Sequence, residues 1–304
     1  MAGSICALHL RRGSMKRIGF DGVFLMPAFI IFTLFLVFPV ISSFYYSMTD
    51  WNGLDSTMEF IGLDNFQRMF QDKAVWSGLK NTFIIALLVT VFQNVIGLLL
   101  ALGLQGTGRI NRVMRVWFLF PALLSPLAIG YIWSYMYNPL FGVINSILEF
   151  IGLSDWTQDW LGDKKLAIYS VIFANIWQWV AFSMIIYVAG LQSIPRDMYE
   201  ASNIDGAGAL SRFKHITFPL IAPAFTVNMV VTMIVGLKLF DILFVMTNGG
   251  PGGATENLAL MLYRQAFGMN QMGYANAIAI LMFVIILIFS LIQVTLLRRR
   301  EVEY

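Results

Sequence analysis

Six blocks of mostly apolar residues, separated by short polar stretches, organise this chain; they cover approximately residues 22–46, 82–104, 116–137, 166–190, 220–246 and 274–297. A helix rises 1.5 Å per residue and the hydrocarbon layer of a bilayer is about 30 Å thick, so about 20 such residues suffice to cross it. Every block meets that requirement, and the second and sixth contain no charged residue at all. Pro27, Pro39, Pro121 and Pro126 fall in or near the blocks. Packed membrane bundles tolerate such interruptions, so the expectation is six spans with shifted ends rather than lost spans. The first block outruns the 7–15 apolar residues of a secretion signal and ends in Phe44-Tyr45-Tyr46 without a small-residue cleavage site. It reads as a retained anchor.

The polar stretches give the orientation. Arg11, Arg12, Lys16 and Arg17, then Arg109, Arg112 and Arg115, then Arg196, Arg212 and Lys214, then Arg298, Arg299 and Arg300 fall on one side of the six-span arrangement. The other side has Arg68, Lys73, Lys80, Lys164, Lys165 and Arg264, with most of the acids and the boundary tryptophans Trp51, Trp76, Trp156 and Trp160. The excess of bases in short loops marks the cytoplasmic side. Both termini are therefore expected there, as an even number of spans requires. The predicted fold is an all-α integral membrane protein. It has a cytoplasmic segment 1–21, a six-helix domain 22–297 and a cytoplasmic tail 298–304.

Composition agrees with this pattern. Of 304 residues, 58% are hydrophobic and 12% charged, against roughly 45–50% and about 25% in soluble domains. The net charge of +3 is spread between apolar blocks and forms no basic face for nucleic acid. One cysteine and two histidines build neither a disulfide framework nor a zinc cluster, so no metal site is expected. No lysine follows a glycine, so the phosphate-binding loop G-x-x-x-x-G-K-[ST] is absent. Gly249-Gly250-Pro251-Gly252-Gly253 reads as a flexible turn. No set of paired acids or nucleophile and base falls within the spans, so no catalytic residue is assigned.

The connection 192–219, between the fourth and fifth blocks, carries the strongest local signal. Glu200-Ala201-Ser202-Asn203-Ile204-Asp205-Gly206 reads as a short helix started by Pro195-Arg196-Asp197 and stopped at Gly206. A second helical stretch follows, from Ala209 to Ile216, and Pro219 opens the next span. The expected shape is a helix–turn–helix elbow. Its residues closely resemble the E-A-A-x3-G-x9-I-x-L-P signature of permease subunits in binding-protein-dependent ABC importers: Glu200-Ala201-Ser202, then Gly206, then Ile216-Thr217-Phe218-Pro219. Ser202 stands for the second alanine and Phe218 for leucine. Phe24-Leu25-Met26-Pro27-Ala28, Phe60-Ile61-Gly62-Leu63-Asp64-Asn65-Phe66, Leu239-Phe240-Asp241, Thr247-Asn248-Gly249-Gly250-Pro251 and Met272-Gly273-Tyr274-Ala275 extend the likeness to the maltose-permease-like subunit (MalF type) of the carbohydrate uptake class. That subunit carries a large outer domain where this chain has a first outer loop of about 35 residues.

The resemblance implies a multi-pass protein of a bacterial or archaeal cell (inner) membrane that forms half of a sugar pathway. It implies as partners a second homologous permease (MalG-like), two ATP-binding cassette ATPases that carry ATP and Mg, and an extracytoplasmic sugar-binding protein that delivers its ligand near the Gly249–Gly253 turn. The elbow would dock into an ATPase cleft, with Glu200 offering a carboxylate and Gly206 the turn. This chain itself would hold no cofactor and hydrolyse nothing.

Polar groups at membrane depth are expensive and mark pathways or partners. Lys238 and Asp241 stand three apart, on one face if the fifth block is a continuous helix, and an ion pair is the plainer reading beside a substrate contact. Asn175-Ile176-Trp177-Gln178-Trp179 offers aromatic faces and amides of the kind sugars need. Asn175, Trp177, Gln178, Asn94 and Asn228 are the candidate pathway residues, with interhelical hydrogen bonding as the alternative for the asparagines. The rival function is a secondary transporter driven by an ion gradient. Few intramembrane carboxylates are present to couple it.

Overall fold

A computed structural model describes residues 25–55 and 57–299; the expectations for residues 1–21 and for Arg300 onwards lie outside them. The described chain is helical apart from connecting turns and one isolated β-bridge, Thr49 with Phe60. Helix α1 (Leu25–Tyr46) is followed by the short helix α2 (Asp64–Gln71) and by α3 (Lys73–Leu104), the longest at 32 residues. Asp72 caps α3, its carboxylate accepting the Ala74 N–H at 2.8 Å. At the other end the Arg115 guanidinium donates to the carbonyls of Leu104 and Gly106, 2.8 and 3.0 Å away, which a helix leaves without partners.

The third block does not form one continuous helix. Helix α4 (Arg109–Leu123) and helix α5 (Pro126–Met136) meet at 95°. Leu124 and Ser125 between them are extended, with ψ of 150° and 137°. Pro126 has no N–H to donate and forces the residue before it out of the helical region. Pro121, five residues earlier, has already tightened the end of α4 into a 3-10 turn. After the short helix α6 (Val143–Phe150) comes α7 (Ala167–Gln192), the most buried of the long helices.

Beyond α7 lie α8 (Arg196–Ile204) and α9 (Ala209–Arg212), then a π turn over Phe213–Thr217 that leads into α10 (Ala222–Leu237). The fifth block is also interrupted. Helix α10 stops at Leu237 and α11 (Asp241–Met246) begins after three non-helical residues. Helix α12 (Leu258–Tyr263) and the long α13 (Met272–Arg298) complete the chain.

Helix α3 lies at the centre, packed on α7 and α10, while α5 packs on α11. A Cβ on Gly236 in α10 would sit 2.7 Å from the Ala86 Cα in α3, so only glycine permits that approach. Ile85, Val89, Ile129, Trp133, Val171, Ile242 and Leu243 form the main apolar core around these elements. A second cluster, with Met184, Tyr187 and Ile221, packs the end of α7 next to the elbow.

Candidate functional site

The core of the bundle is polar at one level. Asn228 donates to the Asn94 side-chain oxygen at 2.8 Å, and the Asn94 amide donates to the Thr232 hydroxyl at 2.8 Å. Tyr187 also donates to the Asn94 oxygen. Ser183 donates to Asn228, and Gln93 to Ser183. All six side chains are buried. Asn94 and Asn228 therefore tie α3, α7 and α10 together, the interhelical bonding given above as the alternative for these asparagines.

The two interrupted spans meet at a cavity of about 210 Å³, lined by Pro126 at the start of α5, by Asn175 and Trp179 of α7, and by Lys238 and Asp241 at the break between α10 and α11. Hydrogen bonds hold both breaks open. The Gln178 amide donates to the Leu124 carbonyl at 3.1 Å, and the Asn257 amide to the Leu239 carbonyl at 2.6 Å. Irregular backbone at membrane depth is tolerated where it is buried in protein or lines a cavity. Gln178 is fully buried in this role, and its side-chain oxygen has no partner. Asn175 is 2% exposed, and its side-chain oxygen has no partner. Trp179, half-buried, lies one turn along on the same face. Trp177 points elsewhere. Its ring stands edge-on to Trp133 at 5.5 Å and borders a separate apolar groove with Phe92 and Trp117.

Lys238 and Asp241 do not form the expected ion pair. The salt bridge found among the described residues is Arg264 with Glu256. The reason is the break itself, which removes the continuous helix that would put both on one face. Lys238 instead terminates α10 and Asp241 occupies the first turn of α11. A cation at a helix C-terminus and an anion at an N-terminus are each stabilised by the aligned peptide dipoles. Both side chains are exposed. Pro126 and Trp179 line the cavity without being among the five candidate pathway residues, although Trp179 stands in the aromatic stretch 175–179. Proline at position 126 was the available signal, since it ends a helix as readily as it kinks one.

The elbow has the expected form. Gly206 adopts φ of +71°, and the Ala207 N–H donates to the Ser202 carbonyl while the Gly206 N–H donates to Asn203. That pair of bonds is a Schellman stop for α8. Arg212 donates to the Asn203 side chain, and Tyr199 and Thr217 share a hydrogen bond of 3.1 Å, so both arms are braced to each other. Both departures from the signature are accommodated: buried Ser202 donates to the Tyr199 carbonyl at 2.8 Å, and the Phe218 ring packs at 5.5 Å from Phe225. Glu200 and Ala201 are exposed, as are Ile204 and Leu210 at 87% and 80%. Ile216 and Pro219 are half-buried at the root.

The glycine-rich turn is fastened down. The Asn81 amide of α3 donates to the carbonyls of Ala254 and Glu256, and Arg264 bridges Glu256 at 2.6 Å and the Asn248 carbonyl at 2.8 Å. This corrects its reading as a flexible turn. No group of three His, Cys, Asp or Glu side chains that could hold a metal occurs among the described residues.

Comparison with known proteins gives a consistent result. The chain is 37% identical over 281 residues to the probable starch degradation products transport system permease protein AmyD of Thermoanaerobacterium thermosulfurigenes, covering 92% of this chain and 94% of that one. It is 32% identical over 277 residues to the trehalose/maltose transport system permease protein MalF of Thermococcus litoralis, covering 91% and 93%. A chain in the crystal structure of a bacterial ABC transporter involved in the import of the acidic polysaccharide alginate superposes with a TM-score of 0.80 at 25% identity, over 94% of this chain and 97% of that one. The model of the binding-protein-dependent transport system inner membrane component matches residues 93–302, which include both broken spans and the whole elbow. This chain belongs to that family: it is an inner membrane component of a binding-protein-dependent transport system.

Proposed function

We propose that this chain forms one half of a translocation path for a sugar, an oligosaccharide, glycoside or related polyol, handed over by an extracytoplasmic binding protein. The observation that carries this reading is the cavity at the paired breaks. There a buried, unpartnered amide oxygen (Asn175) and an indole (Trp179) offer the hydroxyl acceptor and the flat apolar face that a pyranose ring uses. At about 210 Å³ it falls below the roughly 300–1,000 Å³ of complete ligand sites. That suits a half-site completed by a second, homologous permease.

Two ATPase subunits, holding ATP and Mg, supply the energy through the elbow. Exposed Ile204 and Leu210 provide an apolar tip for their cleft, and Glu200 a carboxylate beside it. Both termini lie in the cytoplasm of a bacterial or archaeal cell. The similarity of the chain to permeases of starch-product and trehalose/maltose systems supports the choice of sugar.

Uptake of radiolabelled maltotriose, trehalose and diacetylchitobiose into proteoliposomes holding the whole complex and its binding protein tests the reading. Transport of a saccharide that stops on ATP depletion or with vanadate, and persists with ionophores, is expected. Uptake that ionophores abolish and ATP depletion spares would establish the ion-driven alternative.

A further inference from the structure

Lys238 and Asp241 line the same cavity, while every other residue around it is uncharged. Neither neutralises the other through a salt bridge, and each sits at its own helix end. An ion pair would present a solute with one blunted dipole. Two separate charges present one donor and one acceptor, with a net charge of zero. The buried oxygen of Asn175, unpartnered and 2% exposed, lines the same cavity as a group that a polar ligand completes.

We infer that Lys238 and Asp241 set the charge selectivity of the path: together they keep the cavity electroneutral, so that it accepts a neutral sugar ring and disfavours acidic and amino sugars alike. The inference rests on the saccharide reading and specifies the class of saccharide. An acidic ring approaching Lys238 also meets Asp241, and an amino ring approaching Asp241 also meets Lys238. Once a second permease closes the path off from bulk water, the repulsive member of each encounter is weakly screened. Removing one charge leaves the other to attract.

Saturation-transfer NMR on the assembled importer in lipid nanodiscs, without binding protein, checks this with three probes: maltotriose, its glucuronate-terminated analogue, and the fully deacetylated glucosamine trimer. The wild type should favour maltotriose. Asp241→Asn should shift the preference toward the glucuronate probe by about tenfold, and Lys238→Gln toward the glucosamine trimer by a similar factor. The double variant, again neutral, should return to the wild-type order, and it carries the test should either single variant fail to assemble. Ratios unmoved in the single variants, or a double variant that favours a charged probe, would overturn the charge assignment while leaving the sugar path standing. Absence of signal from all three probes on the wild type would overturn the saccharide reading and the assignment with it.

Discussion

Asn94 and Asn175 are the same side chain in neighbouring helices, yet one is saturated with hydrogen bonds and the other has an idle oxygen. Their substitutions should separate cleanly. Asn94→Leu leaves Asn228, Tyr187 and Thr232 without their shared partner, and each orphaned group costs about 1–3 kcal/mol. The purified protein should lose several degrees of Tm. Asn175→Ala removes no acceptor bond, so Tm should hold within a degree or two while saccharide uptake falls at least about tenfold, the worth of one good polar contact. Equal Tm losses would show that Asn175 is structural. Gly206 makes a second residue-scale test. Nothing lies within 4 Å of a Cβ placed there, but its φ is +71°, so the penalty is conformational, about 1–2 kcal/mol for an ordinary residue. Gly206→Asn should therefore retain more coupled ATP hydrolysis than Gly206→Val, and Gly206→Asp should insert normally but couple poorly.

Among the elements, those that mattered most were the ones hydropathy describes least well. A window of apolar residues reports what surrounds a segment and is silent on whether its backbone is continuous. All six blocks are helical, but the third and fifth are each two helices. The third break was legible in principle from Pro121 and Pro126. The break in the fifth has no proline beside it, and its freed Leu239 carbonyl is taken by Asn257, eighteen positions later, so no local pattern announces it. That is also why the spacing of Lys238 and Asp241 misled. The elbow, by contrast, is built from local stops and starts at Pro195, Gly206 and Pro219, and it was read correctly from them. Asn257→Ala removes both the cover of that carbonyl and the α12 cap on Leu260; a loss of about 1–3 kcal/mol is expected, measured as a lower Tm. Gly236→Leu should act differently. It drives a side chain into the backbone of α3 at Ala86 and should disrupt assembly of the bundle, seen as aggregation on size exclusion.

For the molecule as a whole, the first helix is the least settled part. The apolar window of α1 has no buried residue, and its packing is confined to one flank of α13, where Phe44 meets Phe283 edge-on at 6.3 Å. Lipid or a second permease must cover the rest. Co-expression with the proposed second permease should raise the Tm of this chain above its value when purified alone, because anything that binds only the folded form stabilises it. An identical Tm in both states would mean that lipid alone covers α1. The cross-braced elbow has a further consequence. With Arg212 tied to Asn203 and Tyr199 to Thr217, its two arms turn as one piece, so that a push on the tip reaches α7 and α10 as torque without backlash. A loose joint would dissipate a small stroke before it reached the membrane; this one behaves as a crank, and in the proposed complex the two ends of the stroke stay in step.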